Sequence, residues 1–172
     1  NSRAADLDYG DKITVTTAQH KKVTANRVIL ASHYPFYNKH GMYYSRLYTE
    51  RAYAIAFTAA EKYPGGMYIN AEEPSRSLRY QPDDRGELIL VIGENHKTGQ
   101  GDDMNSHYHR LIEYAQSLFS MQELHFRWST QDCMTLDGVP YVGLYQSDRP
   151  NLYIATGFEK WGMTNSMASA SL

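Results

Sequence analysis

The chain has 172 residues, 42% of them apolar and 21% charged, with a net charge of −2. This is the make-up of a globular protein with one ordinary domain or two small lobes, and it leaves no basic surface for nucleic acid. Apolar runs such as 28–31 and 88–92 are far too short to span a bilayer. The single cysteine, Cys133, excludes an internal disulfide and a CxxC metal site, and it favours a reducing compartment, the cytoplasm.

In chain order, the β-branched run Ile13-Thr14-Val15-Thr16-Thr17 predicts a strand, and 23–26 continues the meander after a polar turn. Val28-Ile29-Leu30-Ala31 is continuously apolar, the pattern of a buried strand of parallel type. Residues 32–41, with Pro35 and Gly41, read as an irregular connection. Over 51–58, Tyr53, Ile55 and Phe57 alternate with Ala52, Ala54 and Ala56, so a strand with both faces covered is expected. Turns at 64–66 and 82–86 separate short strands at 67–70 and 76–80 from a central strand at 87–93. Asp102 and Asp103 cap an amphipathic helix over 104–119. Its inner face is Met104, Tyr108, Leu111, Ile112, Ala115, Leu118 and Phe119, and Arg110, Glu113 and Gln116 face away. A strand at 124–129, a tight turn at Asp137-Gly138 and a strand at 152–155 follow. Gly157 then opens a loop before a last helix, which starts near 162–165 and has no stop signal before Leu172. A start at Asn1 and an end inside a helix lead us to expect a fragment of a longer protein. The 15 tyrosines read as a large core with hydroxyls at its edge, ahead of an aromatic-lined pocket.

The junction from 152–155 through Gly157 into the last helix is where chemistry is expected. A strand end followed by a helix start presents free backbone N–H groups and the positive end of the helix dipole, suited to an anion or a developing negative charge. Glycines there let a flat ligand approach the backbone. Taken alone, the same junction reads equally well as a simple turn.

Three ordered segments resemble the family of FAD-dependent oxidoreductases that includes D-amino-acid oxidase, glycine oxidase and sarcosine oxidase. They are Thr24-Ala25-Asn26-Arg27-Val28-Ile29-Leu30-Ala31-Ser32, Asp137-Gly138-Val139-Pro140-Tyr141-Val142-Gly143, and Asn151-Leu152-Tyr153-Ile154-Ala155-Thr156-Gly157-Phe158 running on to Gly162 and Ala168. The resemblance implies an α+β fold: a mixed, largely antiparallel substrate-domain sheet with a packed helix, plus a partial FAD-binding, Rossmann-like lobe. It implies that 1–45 and 132–172 belong to the flavin lobe and 46–131 to the substrate lobe. The cofactor would be FAD, held by Ala31, Ser32, Gly157, Phe158, Lys160, Trp161, Gly162, Met163 and Thr164. The reaction would be hydride removal from a carbon bearing an amine, on a small amine or amino acid, with the last helix tuning the flavin's charge. The family's GxGxxG motif, which grips the FAD pyrophosphate, is absent from the sequence. A partner N-terminal FAD-binding segment is therefore expected upstream, and the fragment alone is expected to be inactive. The segments 92–100 and 160–165 look most like a bacterial subgroup that often carries a Rieske iron–sulfur domain, which would lie beyond Leu172.

Three residues are candidate substrate contacts, each with a plainer alternative. Arg51 could bind a carboxylate or form a salt bridge, His96 could reach substrate or merely brace a turn, and Arg127 beside Trp128 could line the pocket or pack in the core. His33, next to Ser32, could lie near the flavin or in an ordinary loop. His107 and His109 would point about 200° apart on a helix, which argues against a metal pair and against a metal hydrolase using them with His96. Cys133 reads as a small buried hydrophobe. A non-catalytic binding or assembly module with the same architecture is the rival to the enzyme.

Overall fold

A computed structural model describes residues 2–84, 86–101 and 103–172. Its elements are β1 (Ala4–Asp8), β2 (Ile13–Thr17), β3 (Lys22–Ala25), β4 (Val28–Leu30), β5 (Leu47–Ala59), β6 (Tyr68–Ile69), β7 (Arg76–Asp83), β8 (Gly86–Lys97), α1 (Met104–Leu118), β9 (Met121–Thr135), β10 (Tyr141–Leu144), β11 (Leu152–Thr156) and α2 (Gly162–Ser169). They form two compact units, one of residues up to Thr49 with Asp132–Leu172, the other of Glu50–Gln131. The fold is α+β with mostly antiparallel pairing.

The first unit holds an antiparallel meander, β1-β2-β3, and a small mixed sheet, β10-β11-β4. β1 has no β-branched residue to announce it; its one buried side chain, Leu7, pairs opposite Val15. β4 does pair parallel, with β11, as its apolar run predicts. It is not fully buried, however: Leu30 is inside while Ile29 is 67% exposed. Tyrosines build much of this core. The Tyr43 hydroxyl donates to the Tyr145 carbonyl at 3.0 Å, and the Tyr145 hydroxyl lies 3.0 Å from the Lys39 carbonyl. Gly41 is required beside them, because a Cβ there would lie 2.4 Å from the Tyr145 hydroxyl. α2 ends at Ser169 instead of running to Leu172; the N–H groups of Ser171 and Leu172 bond three residues back, a tightened last turn.

The second unit is the sheet β6-β7-β8-β5-β9 with α1 packed on one face. Tyr53, Ile55 and Phe57 meet Leu111 and Ala115 of α1, while Ala56 packs with Leu88 and Leu90 on the opposite face. Both faces of β5 are thus covered, as its period-two pattern requires. The turn before the central strand is tighter than 82–86, since Pro82 still pairs with Glu87. Asp103 caps α1, its carboxylate accepting from the Asn105 N–H at 2.9 Å; Asp102 lies outside the described residues. Met104 and Leu118, expected inside, are 42% and 50% exposed because they sit at the helix ends.

Arg110, expected to face away, instead turns back onto Glu94. The reason is a β-bulge: Tyr53 pairs with Gly93 but Arg51 pairs with His96, so β8 carries one extra residue, and Glu94 takes the left-handed conformation (φ 56°). The Glu94 carboxylate is buried and held by Arg76 and Arg110. Arg76 also lies over the Tyr114 ring, 4.5 Å from its centre. Nearby, the His107 ring stacks on Tyr53 and on His96, with centroids 4.6 and 4.5 Å apart. His109 is exposed, so the two histidines of the HxH do point apart.

Burial, then the charges of Arg110 and His96, hold the His107 pKa below its usual value. Arg110 Nη2 donates to His107 Nδ1 at 2.7 Å, an arrangement only the neutral ring accepts. The unfolded chain therefore binds a proton more readily than the folded one, and stability falls as pH drops through the ordinary histidine range. The loss of urea stability between about pH 7.5 and about pH 5.5 should be smaller in His107→Phe than in the wild type. Equal pH slopes in the two proteins would refute this.

Candidate functional site

In the first unit, β11 runs into Gly157 and the loop turns sharply before α2. Gly157 has φ 72°, and a Cβ there would lie 2.3 Å from Thr135 Cγ2 and 3.3 Å from Leu47 Cδ2, so only glycine fits. Glu159 is also left-handed (φ 52°) and is fixed from two sides. Its N–H donates to the Cys133 carbonyl at 3.1 Å, and its carboxylate accepts from Thr135 Oγ1 at 3.3 Å. Lys160 Nζ meets Asp132 Oδ2 at 2.7 Å. Thr156 Oγ1 donates to the His33 carbonyl, and the Trp161 N–H to the Phe158 carbonyl at 2.9 Å.

These contacts shape a cavity of about 370 Å³ lined by His33, Asp132 and residues 158–164. Lys160, Trp161, Gly162, Met163 and Thr164 share it with Phe158, while Gly157 forms the bend behind them. Trp161 and Met163 are 68% and 85% exposed beside the first N–H groups of α2. A Cβ on Gly162 would meet nothing within 4 Å, so that glycine is not demanded by packing inside this chain and leaves open space at the helix start. An apolar rim, backbone donors and a glycine facing open space suit a flat, polar-edged ring.

Ser32 does not line this cavity. Its hydroxyl donates to the Tyr34 carbonyl at 3.0 Å and it borders a separate hollow with Arg3, Ala4 and Phe36. Its neighbour His33 (φ 65°) takes the place beside the loop. Ala31 is exposed just after β4. Asp132 was not singled out from sequence, where it stands 28 residues from Lys160. A further concavity of about 400 Å³ lies on the β10-β11-β4 sheet, with Ile29, Val142, Tyr153 and Leu172 among its walls.

In the second unit, each candidate substrate contact has a partner within the unit. Arg51 Nη1 donates to Ser129 Oγ at 2.7 Å, and the Arg127 guanidinium lies 5.3 Å from the centre of the Tyr108 ring. His96 Nε2 meets the Tyr53 hydroxyl at 2.9 Å, and its Nδ1 meets the Lys97 carbonyl at the same distance. Trp128 is 40% exposed. Cys133 is fully buried, and burial followed by the Asp132 charge pushes its thiol up to about 11. It is an inert packing residue, as expected. Among the described residues no helix is long and apolar enough to cross a membrane.

Comparison with known proteins adds the chemistry. The profile of the DAO family, described as FAD dependent oxidoreductase, matches residues 1–172. YhfW of Bacillus subtilis (strain 168), a protein named for a Rieske 2Fe-2S iron-sulfur centre, is 39% identical over 169 residues, which is 98% of this chain and 33% of that protein. Glycine oxidase from Geobacillus kaustophilus superposes with a TM-score of 0.70 at 18% identity, over 99% of this chain and 46% of the oxidase. Iminodiacetate oxidase from Chelativorans sp. BNC1 gives a TM-score of 0.70 at 10% identity, over 100% and 47%. The chain thus spans a third of the curated relative and under half of these oxidases. With the family profile covering its whole length, the chain belongs to the DAO family of FAD-dependent oxidoreductases, and its cofactor is FAD.

Proposed function

We propose that the full-length protein oxidises a small amine or amino acid by hydride transfer to FAD, and that this chain supplies the substrate lobe (Glu50–Gln131) and the C-terminal part of the flavin lobe. The observation that carries this reading is the cavity at 158–164, with its fixed left-handed bends, exposed Trp161 and Met163, and open Gly162. FAD, when bound, supplies the hydride acceptor. The chain's own part is to hold and orient. Gly157 and Glu159 set the loop, the N–H groups opening α2 present donors to a polar ring edge, and Trp161 and Met163 exclude water from it. A helix end contributes about 0.3–2 kcal/mol, which tunes a reaction and does not create it. Arg51, His96 and Arg127 are the proposed substrate-side residues, released from their internal partners when substrate binds.

The pyrophosphate grip is not in this sequence, and the chain matches under half of the oxidases. We place that grip on an N-terminal segment of the full-length protein, packed against the exposed Ile29 face. A Rieske domain after Leu172, serving as electron acceptor, is favoured by the name of the Bacillus relative.

The full-length protein should purify with, or be reconstituted to, the yellow flavin spectrum, and an amine or amino-acid substrate should bleach it anaerobically. The isolated chain should bind FAD at least 100-fold more weakly, or about 2.7 kcal/mol. A colourless full-length protein that FAD cannot reconstitute would sink the proposal and leave the non-catalytic module.

A further inference from the structure

We infer that Asp132 is a positioning residue: it holds the Lys160 ammonium on the wall of the flavin cavity, so that the pair sets the charge the bound cofactor meets and thereby its reduction potential. This deepens the flavin reading of the same site and rests on it.

The geometry is specific. Two consecutive loop residues are tied to the end of β9, Glu159 through Cys133 and Thr135, and Lys160 through Asp132. Cys133 is fully buried, so strand alternation turns the neighbouring Asp132 the other way, to the cavity wall. Lys160 has a counter-ion at 2.7 Å in a loop whose backbone is already fixed by Gly157 and Glu159. The pair is partly open to solvent, with side chains 37% and 22% exposed, and ion pairs of that kind contribute little to stability. Its charges nonetheless stand on the wall of a cavity rimmed by Trp161, Met163 and Phe158, where apolar walls focus a field. Two-electron reduction adds electrons to the flavin. A nearby cation favours the reduced form, and a nearby carboxylate opposes it.

The two partners must therefore act with opposite signs. In the full-length holoprotein, Lys160→Met should lower the midpoint potential of the bound FAD, measured against a reference dye. Asp132→Asn, which leaves the ammonium unopposed, should raise it. Each change should be about tenfold in the oxidised-to-reduced ratio at fixed poise, about 30 mV for a two-electron couple. Asp132→Glu should restore a value near the wild type. A pair that merely braces the loop would move both variants in one direction, or neither, and either result overturns the inference while the flavin reading stands. If one variant fails to fold, the sign of the other against Asp132→Glu still decides. A full-length protein without flavin overturns both.

Discussion

Glu94→Gln should be the most damaging single-atom change in the second unit, costing about 3 kcal/mol and roughly 6–12 °C in Tm. The carboxylate is 5% exposed and faces two guanidiniums, and glutamine of the same shape leaves both without a counter-charge. Burial alone would push its pKa up, but the hydrogen bonds and charges of Arg110 and Arg76 outweigh burial and hold it below the ordinary value. The sign follows. A carboxylate depressed in the folded state stabilises above its unfolded pKa, and that stability is lost as pH falls through the folded value. Wild-type stability should therefore drop on acidification through the carboxylate range, and the Glu94→Gln curve should be flatter there. Glu113→Gln, exposed on α1, should stay within about 0.5 kcal/mol of wild type at neutral pH. Urea melts of the three proteins across that range make the test; parallel wild-type and Glu94→Gln curves would refute it.

Gly157→Ala should be comparably damaging in the first unit, at about 2–5 kcal/mol. The left-handed backbone costs about 1–2 kcal/mol with any Cβ, and contact with the Thr135 methyl adds a packing cost of about 1–3 kcal/mol. Thr135→Ser removes that methyl while keeping the hydroxyl that bonds Glu159, so the double variant should recover the packing part and leave the backbone part. On the flavin reading, Gly157→Ala should also weaken FAD binding by the full-length protein at least tenfold. Gly162→Ala separates the two effects. Its Cβ meets nothing within this chain, so folding should be unchanged, while FAD binding should weaken. Thermal melts with FAD titration settle both, and an unimpaired Gly162→Ala holoprotein would argue against a cofactor at that helix start.

Periodicity made much of the fold legible. The large/small alternation of 51–58 and the helical spacing of 104–119 both announce what they pack against, because one burial face imposes one repeat. β1 gave no such signal, since a strand with one buried residue has no repeat to read. The loop at Gly157 was legible as a strand, a glycine and a helix in order. Its counterpart Asp132 was not, for the ion pair spans 28 residues and nothing local marks it. His33 and Ser32 were separable only by backbone: the φ of 65° at His33 decides which neighbour reaches the cavity.

The extra residue in β8 carries a consequence for its whole C-terminal end. Before it, odd-numbered residues such as Ile89 and Val91 face α1, and even-numbered Leu88 and Leu90 face away. After it, the even-numbered Glu94 and His96 meet Arg110 and His107 of α1. The strand changes phase in mid-course. Removing Asn95 would restore the phase, leave His96 opposite Arg51 and send the Glu94 carboxylate to the opposite side of the sheet, stranding two arginines behind it. Length, and not only composition, is thus under constraint here: variants should tolerate many substitutions at the exposed Asn95 and hardly any deletion of it.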